Sequence, residues 1–229
     1  MQTQQKQAIL LVDRILLKFS DIISKTPFKF AFDYTRFYIL SFNFGNKLAK
    51  RKLNCLRTRL AVANDLPRIK KIVDRGDEFQ QRMTKGDICF IAESNDDIVG
   101  MEWLEIADRH VEGRIKYIFD LPPNSCWLYD GFIEKSSRFK GVWINIMGEI
   151  ADFSRRKSIA RAYCYISSIN NISLNTHLRY GFQIIGVIIY VKILGINFHL
   201  IKCKNSTKTF DCKLRLSRGS KAKEFSVRF

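Results

Sequence analysis

The chain has 229 residues, 46% of them apolar, with 39 Lys plus Arg against 22 Asp plus Glu and a formal charge of +17. That apolar share excludes a disordered chain, and the length suits one full domain with an extension, or two small ones. The basic excess calls for an anionic partner, which could be nucleic acid, an anionic membrane, an acidic protein or a phosphorylated ligand.

The charge is not evenly spread. Residues 1 to 55 hold ten basic and three acidic residues, and residues 202 to 229 hold nine and two, so two basic flanks enclose a nearly balanced middle. The organisation expected is a basic, aromatic, amphipathic N-terminal extension over 1–55, a folded domain over 56–203 and a basic C-terminal strand or tail over 204–229.

In chain order, Val12, Ile15, Leu16, Phe19, Ile22 and Ile23 recur at helical spacing opposite Arg14, Lys18, Asp21 and Lys25, which predicts an amphipathic helix over 8–25 ended by Pro27. The same charges exclude a signal-peptide core, so a cytoplasmic protein is expected. Residues 28–44 interleave Phe28, Phe30, Phe32, Tyr34, Phe37, Tyr38, Phe42 and Phe44 with Lys29 and Arg36. That composition suits a membrane interface, single-stranded nucleic acid or a flap over the main domain. Lys47 to Lys52 read as a basic linker.

From Leu56 the pattern changes to short strands and helices. Leu56–Val62 alternates; Asn64 or Asp65 caps a helix that has Pro67 just inside it and runs to Asp74. Ile88–Glu93 and Ile98–Ile106 form a hairpin about Ser94-Asn95-Asp96-Asp97, and Trp127–Ile133 is a further strand. Val142–Lys157 is a helix with Trp143, Ile146, Met147, Ile150 and Phe153 on one face. Ala160–Ile166 is a strand, Asn171–Tyr180 a short helix closed by Gly181, and Phe182–Ile193 and Phe198–Cys203 are strands about a Gly195-Ile196-Asn197 turn. The run 181–201 is long enough to span a membrane, but Lys192, Asn197, His199 and its β-branched residues favour a strand pair. Phe210, Cys212, Leu214 and Leu216 alternate with charged residues, which fits a strand or a disordered basic tail.

The six cysteines (Cys55, Cys89, Cys126, Cys164, Cys203 and Cys212) never form a CxxC pair, so they read as reduced, buried thiols. His110, His177 and His199 stand outside metal-motif spacing from any cysteine pair, and no metal site is expected.

The chemistry concentrates where a strand ends at Ile133, a loop Glu134-Lys135-Ser136-Ser137-Arg138-Phe139-Lys140 follows, and Gly141 starts a helix. Arg138 and Lys140 sit at the positive end of that helix dipole, which favours a bound anion, and open backbone N–H groups beside a glycine make a phosphate cradle. About 30 residues on, between two strands, comes Asn170-x-x-Ser173-x-x-x-His177-x-x-x-Gly181-Phe182.

Strand, Arg138-x-x-Gly141, amphipathic helix, strand and that second segment, preceded by the 56–73 strand and helix and the 88–106 hairpin, together resemble the GNAT superfamily of acyl-CoA-dependent N-acyltransferases over residues 56 to 203. The resemblance implies an α/β fold with a mixed, mostly antiparallel twisted sheet flanked by helices, here with a helical N-terminal extension. It implies acetyl-CoA or another acyl-CoA as co-substrate and a small-molecule or protein amine as acceptor. The pyrophosphate loop maps to Arg138, Phe139, Lys140, Gly141, Val142 and Trp143, although Trp143 replaces a small residue and could crowd the phosphates or turn into the core. Phe132 and Ile133 would pair their backbone with the pantetheine arm and polarise the thioester. Asn170, with Ser173 beside it, matches the asparagine that contacts the cofactor, and His177 takes the place of the acid that protonates the departing thiolate. Asp130 is the first expectation for a general base, followed by Glu102 and Glu105. Variants of this reading take the acyl group from an acidic acyl carrier protein drawn to the basic flanks. Others leave the fold catalytically idle and docked on an anionic membrane surface, peripheral at its inner face, or less favourably on nucleic acid.

Overall fold

The computed structural model describes residues 2–26, 31–46, 56–204 and 210–218, with side chains described between 12 and 203 of those ranges, Asp13 excepted. Pro27, the 47–52 linker, Cys55, the side chain of Cys212 and the tail beyond 218 lie outside the described residues. The elements are α1 (Gln2–Ser24), β1 (Phe32–Asn43), β2 (Arg57–Leu60), α2 (Leu66–Ile72), α3 (Glu78–Lys85), β3 (Ile88–Ser94), β4 (Asp97–Glu105), β5 (Arg109–Glu112), β6 (Tyr117–Asp120), β7 (Ser125–Ile133), α4 (Val142–Arg156), β8 (Arg161–Ser167), α5 (Asn171–Arg179), β9 (Gln183–Ile193), β10 (Ile196–Lys204) and β11 (Phe210–Arg218). The protein is a mixed α/β chain with a mostly antiparallel sheet and accompanying helices, as the sequence implies.

Two compact units divide it, Met1–Leu40 with Val111–Asp120 and Tyr165–Phe229, and Ser41–His110 with Leu121–Cys164; β1 and β8 each run through both. In the unit built on 41–110 and 121–164 the strand order is β8-β7-β4-β3-β2, antiparallel except for the parallel β7–β8 pair. The β3–β4 hairpin closes on Asn95 and Asp96, both at positive φ, the residue types that tolerate the left-handed pair a two-residue turn needs. α4 packs on β2, β3 and β4 through its apolar face, where Val142, Ile146, Met147 and Ile150 are buried. Phe79 of α3 stacks on Trp103 of β4 at 5.5 Å between ring centres. Arg59 of β2 binds Asp65 at 2.6 Å and Glu93 at 2.7 Å, tying β2 and β3 to the start of α2; the Arg59 guanidinium holds the Asp65 carboxyl down at about 2.

The other unit carries β11-β10-β9-β1 followed by the end of β8, with β9, β10 and β11 antiparallel. Leu194 and Gly195, both at positive φ, turn β9 into β10, in register Ile193 opposite Ile196. Tyr190 donates to Asn197 at 2.8 Å, and the buried His199 ring contacts the Ile115 carbonyl at 2.6 Å. Phe28, Lys29 and Phe30 lie outside the described residues, but the rest of the aromatic run read as an interface or flap belongs to a core strand and its end instead: Tyr34, Phe37, Ile39, Leu40, Phe42 and Phe44 are all buried. As an inner strand, β1 is covered on both faces, so its aromatics do not alternate with polar residues. Neither α3 nor the short β5 and β6 strands is expected from the sequence pattern.

Candidate functional site

β7 is irregular at its end. Its ladder with β4 pairs Ile133 with Gly100, Phe132 with Met101 and Tyr129 with Trp103, so Glu102 alone faces the two residues Asp130 and Gly131. This is a β-bulge, and Asp130 takes φ +52° to make it. Gly131 leaves room for the Glu102 carboxyl: a Cβ at that position would stand 2.2 Å from Glu102 Oε2, so a larger residue would displace that carboxyl. On the opposite edge, β7 pairs with β8 only from Ser125 to Trp127. Among the described residues, Leu128–Ile133 therefore keep one edge without a β8 ladder partner.

Three carboxylates near this bulge have different environments. Glu102 is only 4% exposed, and burial pushes its carboxyl up to about 8; the Trp143 indole N–H, donating to Oε2 at 3.3 Å, pulls the other way and the nearby Asp130 charge adds to the rise. Asp130 is held at 2.6 Å by Arg82 and at 3.3 Å by Arg75, so both its oxygens are taken by guanidinium groups. Arg82 itself lies over the rings of Tyr129, Trp103 and Phe79, which fixes that ion pair in place. Glu105 is buried too, yet hydrogen bonds from His110, at 2.5 Å, and from Lys85 outweigh the burial and leave its carboxyl below the usual range. The sequence expectation of Asp130 as base thus meets a structural obstacle. Glu102 is the carboxyl poised between its two protonation states near neutral pH.

Beyond Ile133, Glu134 donates its N–H to the Val99 carbonyl at 2.9 Å and a single 3-10 turn, Lys135–Ser137, leads into the loop. Arg138 donates its Nε to the Ile133 carbonyl at 3.1 Å. Phe139 is 86% exposed at φ +63°, and Gly141, the residue before α4, is at φ +84°. A left-handed conformation costs a non-glycine residue about 1–2 kcal/mol, so the chain sustains strain at Phe139 to shape this turn. No side chain caps the start of α4; the Asn145 amide instead donates back to the Gly141 carbonyl at 2.8 Å. The positive end of a 15-residue helix is thus left open beside the exposed Lys140. Trp143 directs its indole at Glu102, which answers whether that ring turns inward.

The second segment is self-contained. Asn170 accepts from the Ser173 N–H at 3.1 Å, which makes it the N-cap of α5. His177 is buried with Nδ1 donating to the Ser173 carbonyl at 2.8 Å, and its ring meets Phe182 edge-on at 4.7 Å. Burial lowers its pKa to about 4, with the Ser173 bond opposing. An imidazolium donor at neutral pH, as the sequence implies for this position, conflicts with that environment: the ring is neutral and its Nδ1 proton is committed to the backbone. Reading residue types alone missed the pairing of Glu102 with Trp143 and Gly131; the signal was the glycine inside a predicted strand.

No protein-family model matches the chain, and no match is found among curated proteins. Solved structures do match. A GCN5-related N-acetyltransferase from Sphaerobacter thermophilus superposes with a TM-score of 0.53 at 10% identity, over 72% of this chain and 53% of that one. A conserved protein of unknown function from Staphylococcus epidermidis gives 0.50 at 11% identity, over 70% and 61%. An aminoglycoside 6'-N-acetyltransferase from Acinetobacter baumannii aligns over 56% of this chain and 90% of its own, at 14% identity and a TM-score of 0.46. The chain thus spans between half and two thirds of the length of the first two. The GNAT fold implied by the ordered motifs is the fold of this chain.

Proposed function

We propose that the protein is an acyl-CoA-dependent N-acyltransferase in which Glu102 is the general base. The observation that carries this reading is the bulged β7 running into the uncapped start of α4. A strand edge without a ladder partner and a helix N-terminus beside basic side chains are what an extended thioester arm and a pyrophosphate require. The residues fit such a co-substrate: Gly141 lets a phosphate approach the backbone, and Lys140 with Arg138 supplies positive charge. The coenzyme supplies the activated acyl group. Because Arg138 already donates to the Ile133 carbonyl, pairing with the arm falls mainly on Phe132 and the residues before it. Glu102 takes the proton of the acceptor amine, and Asp130 acts as the fixed partner of Arg82 and Arg75. Asn170 and Ser173 build the start of α5, and His177 packs it.

The test is thermal. Acetyl-CoA at a concentration 100 times its Kd stabilises a protein that binds it by about 2.7 kcal/mol, a readily measured rise in melting temperature. No rise at millimolar acetyl-CoA overturns the reading. Turnover is then followed as thiol release with amine acceptors of several classes.

A further inference from the structure

Val12, Ile15, Phe19 and Ile22 of α1 follow one another three, four and three residues apart, which sets them in a single stripe along the helix. Each is half exposed or more, whereas Ser20, from the other side of the helix, is buried and donates to Asp33 at 3.0 Å. The stripe therefore stands largely clear of β1, which it meets only at Phe19 among these four residues. Arg14, Lys18 and Lys25 line the charged face of α1 that adjoins the stripe on its Lys18 side, all exposed; Asp21 on that face is exposed too and is paired with Lys25 at 2.7 Å. Phe19 packs against Phe32 at 5.3 Å between ring centres. The neighbouring Ala31 carbonyl accepts from the N–H of Leu194, which stands 72% exposed at the tip of the β9–β10 turn. The apolar stripe thus continues through Phe32 to an exposed leucine at a hairpin tip.

We propose that α1 and the β9–β10 tip form a surface that lies on an anionic lipid bilayer, with the stripe and Leu194 in the headgroup and acyl boundary and Arg14, Lys18 and Lys25 reaching the phosphates. The combination decides the occupant. An apolar stripe edged by basic residues is the pattern of a helix in the interface plane, and nucleic acid would leave the stripe exposed to water. A second copy would bring together two N-terminal segments that each carry ten basic against three acidic residues. No helix among the described residues is long and apolar enough to cross a membrane, so α1 would lie along the surface. This inference is independent of the transferase reading and stands whether or not a coenzyme binds.

The experiment is sedimentation of the full chain with vesicles of phosphatidylcholine alone and of phosphatidylcholine with roughly one third phosphatidylglycerol. The protein is expected to bind the anionic vesicles at least about ten-fold better and to be released as salt rises. Ile15→Ser with Ile22→Ser, and separately Leu194→Ser, should each weaken binding several-fold while the melting temperature and any acetyl-CoA shift stay as in the unaltered protein, since these side chains are exposed. Lys18→Glu should weaken binding to anionic vesicles only. Equal binding to neutral vesicles, or binding that survives both apolar variants, overturns the proposal. So does a dimer in solution that the Ile15/Ile22 variant disperses.

Discussion

Two junctions in this chain have the same outline, a strand that ends in a loop and starts a helix that touches a buried titratable side chain, Glu102 of β4 through Trp143 in one and His177 of the helix itself in the other, and they are finished in opposite ways. At α5 the chain closes its own account of donors: Asn170 caps the helix and His177 gives its proton to the Ser173 carbonyl. At α4 no side chain caps the helix, Phe139 and Gly141 hold left-handed backbone, and Trp143 reaches to Glu102. Burial acts on both titratable groups and disfavours the charge in each, raising Glu102 to about 8 and lowering His177 to about 4. The same force therefore brings the acid into the working range and takes the histidine out of it. Of the two, the α4 junction is the one whose helix start has no side-chain cap.

The largest effect that could break this comparison is at Glu102. Glu102→Gln should lower the turnover number on the order of 10²–10⁴-fold if the group is the base, while the acetyl-CoA shift is kept. In the unaltered protein the rate should climb through about pH 8 and level off as the carboxylate forms. Stability should move the other way. The folded pKa lies above the ordinary 4.5, so the stability Glu102 contributes is full below that value and is lost as pH rises towards 8. Melting curves of the unaltered protein and Glu102→Gln should therefore diverge across that window, with the variant the more stable at its upper end. Parallel curves would mean the carboxyl is ionised like an ordinary glutamate.

Gly141→Glu comes next. The +84° backbone angle and the new negative charge both oppose it, and the acetyl-CoA shift should vanish while the protein alone loses about 1–2 kcal/mol. The same substitution type in the capped α5 turn, Ser173→Glu, should leave the shift in place. Retention of the shift in Gly141→Glu would show that the open helix start is not the phosphate site.

How much of this was legible in the residues depends on what kind of order each element obeys. α4 and the β3–β4 hairpin follow periodicity and turn chemistry, and they were readable: Ile150 follows Ile146 by four residues and Met147 by three, and Asn95-Asp96 is a turn pair. β1 was misread because the rule that separates core from surface is alternation, and an inner strand covered on both faces does not alternate. α3 offers only Phe79 and Met83 to the core over eight residues, too little for a period to show. The basic loop and Gly141 could be singled out in the sequence as the proposed phosphate site, but the difference between the candidate bases could not. Asp130 and Glu102 look alike as strand carboxylates until the fold sets Arg82 and Arg75 on one and buries the other. That distinction is made by residues distant in sequence, and Gly131 was its single local trace.

A smaller effect probes His177. Its folded pKa lies below the ordinary 6.5, so the stability it contributes is present above that value and is lost as pH falls towards 4. His177→Gln should flatten the loss of melting temperature between pH 6.5 and 4 and leave the alkaline limb of the rate profile unchanged. If turnover instead collapses at neutral pH with folding intact, the histidine takes part in proton transfer and the contrast between the two junctions fails.

The smallest expected effect is at Asn170. Replacing an N-cap by alanine costs about 1 kcal/mol, so Asn170→Ala should lower the melting temperature by a few degrees. Two roles for this side chain then separate cleanly. If its role is the cap alone, with Oδ1 accepting from the Ser173 N–H, then Asn170→Asp, which caps equally well, should restore stability with the acetyl-CoA shift unchanged throughout. As a coenzyme contact through its amide N–H, it would be damaged by aspartate as much as by alanine, because a carboxylate brings negative charge and no donor. A diminished shift in Asn170→Asp at full stability would move α5 from the self-satisfied side of the comparison to the ligand-binding one.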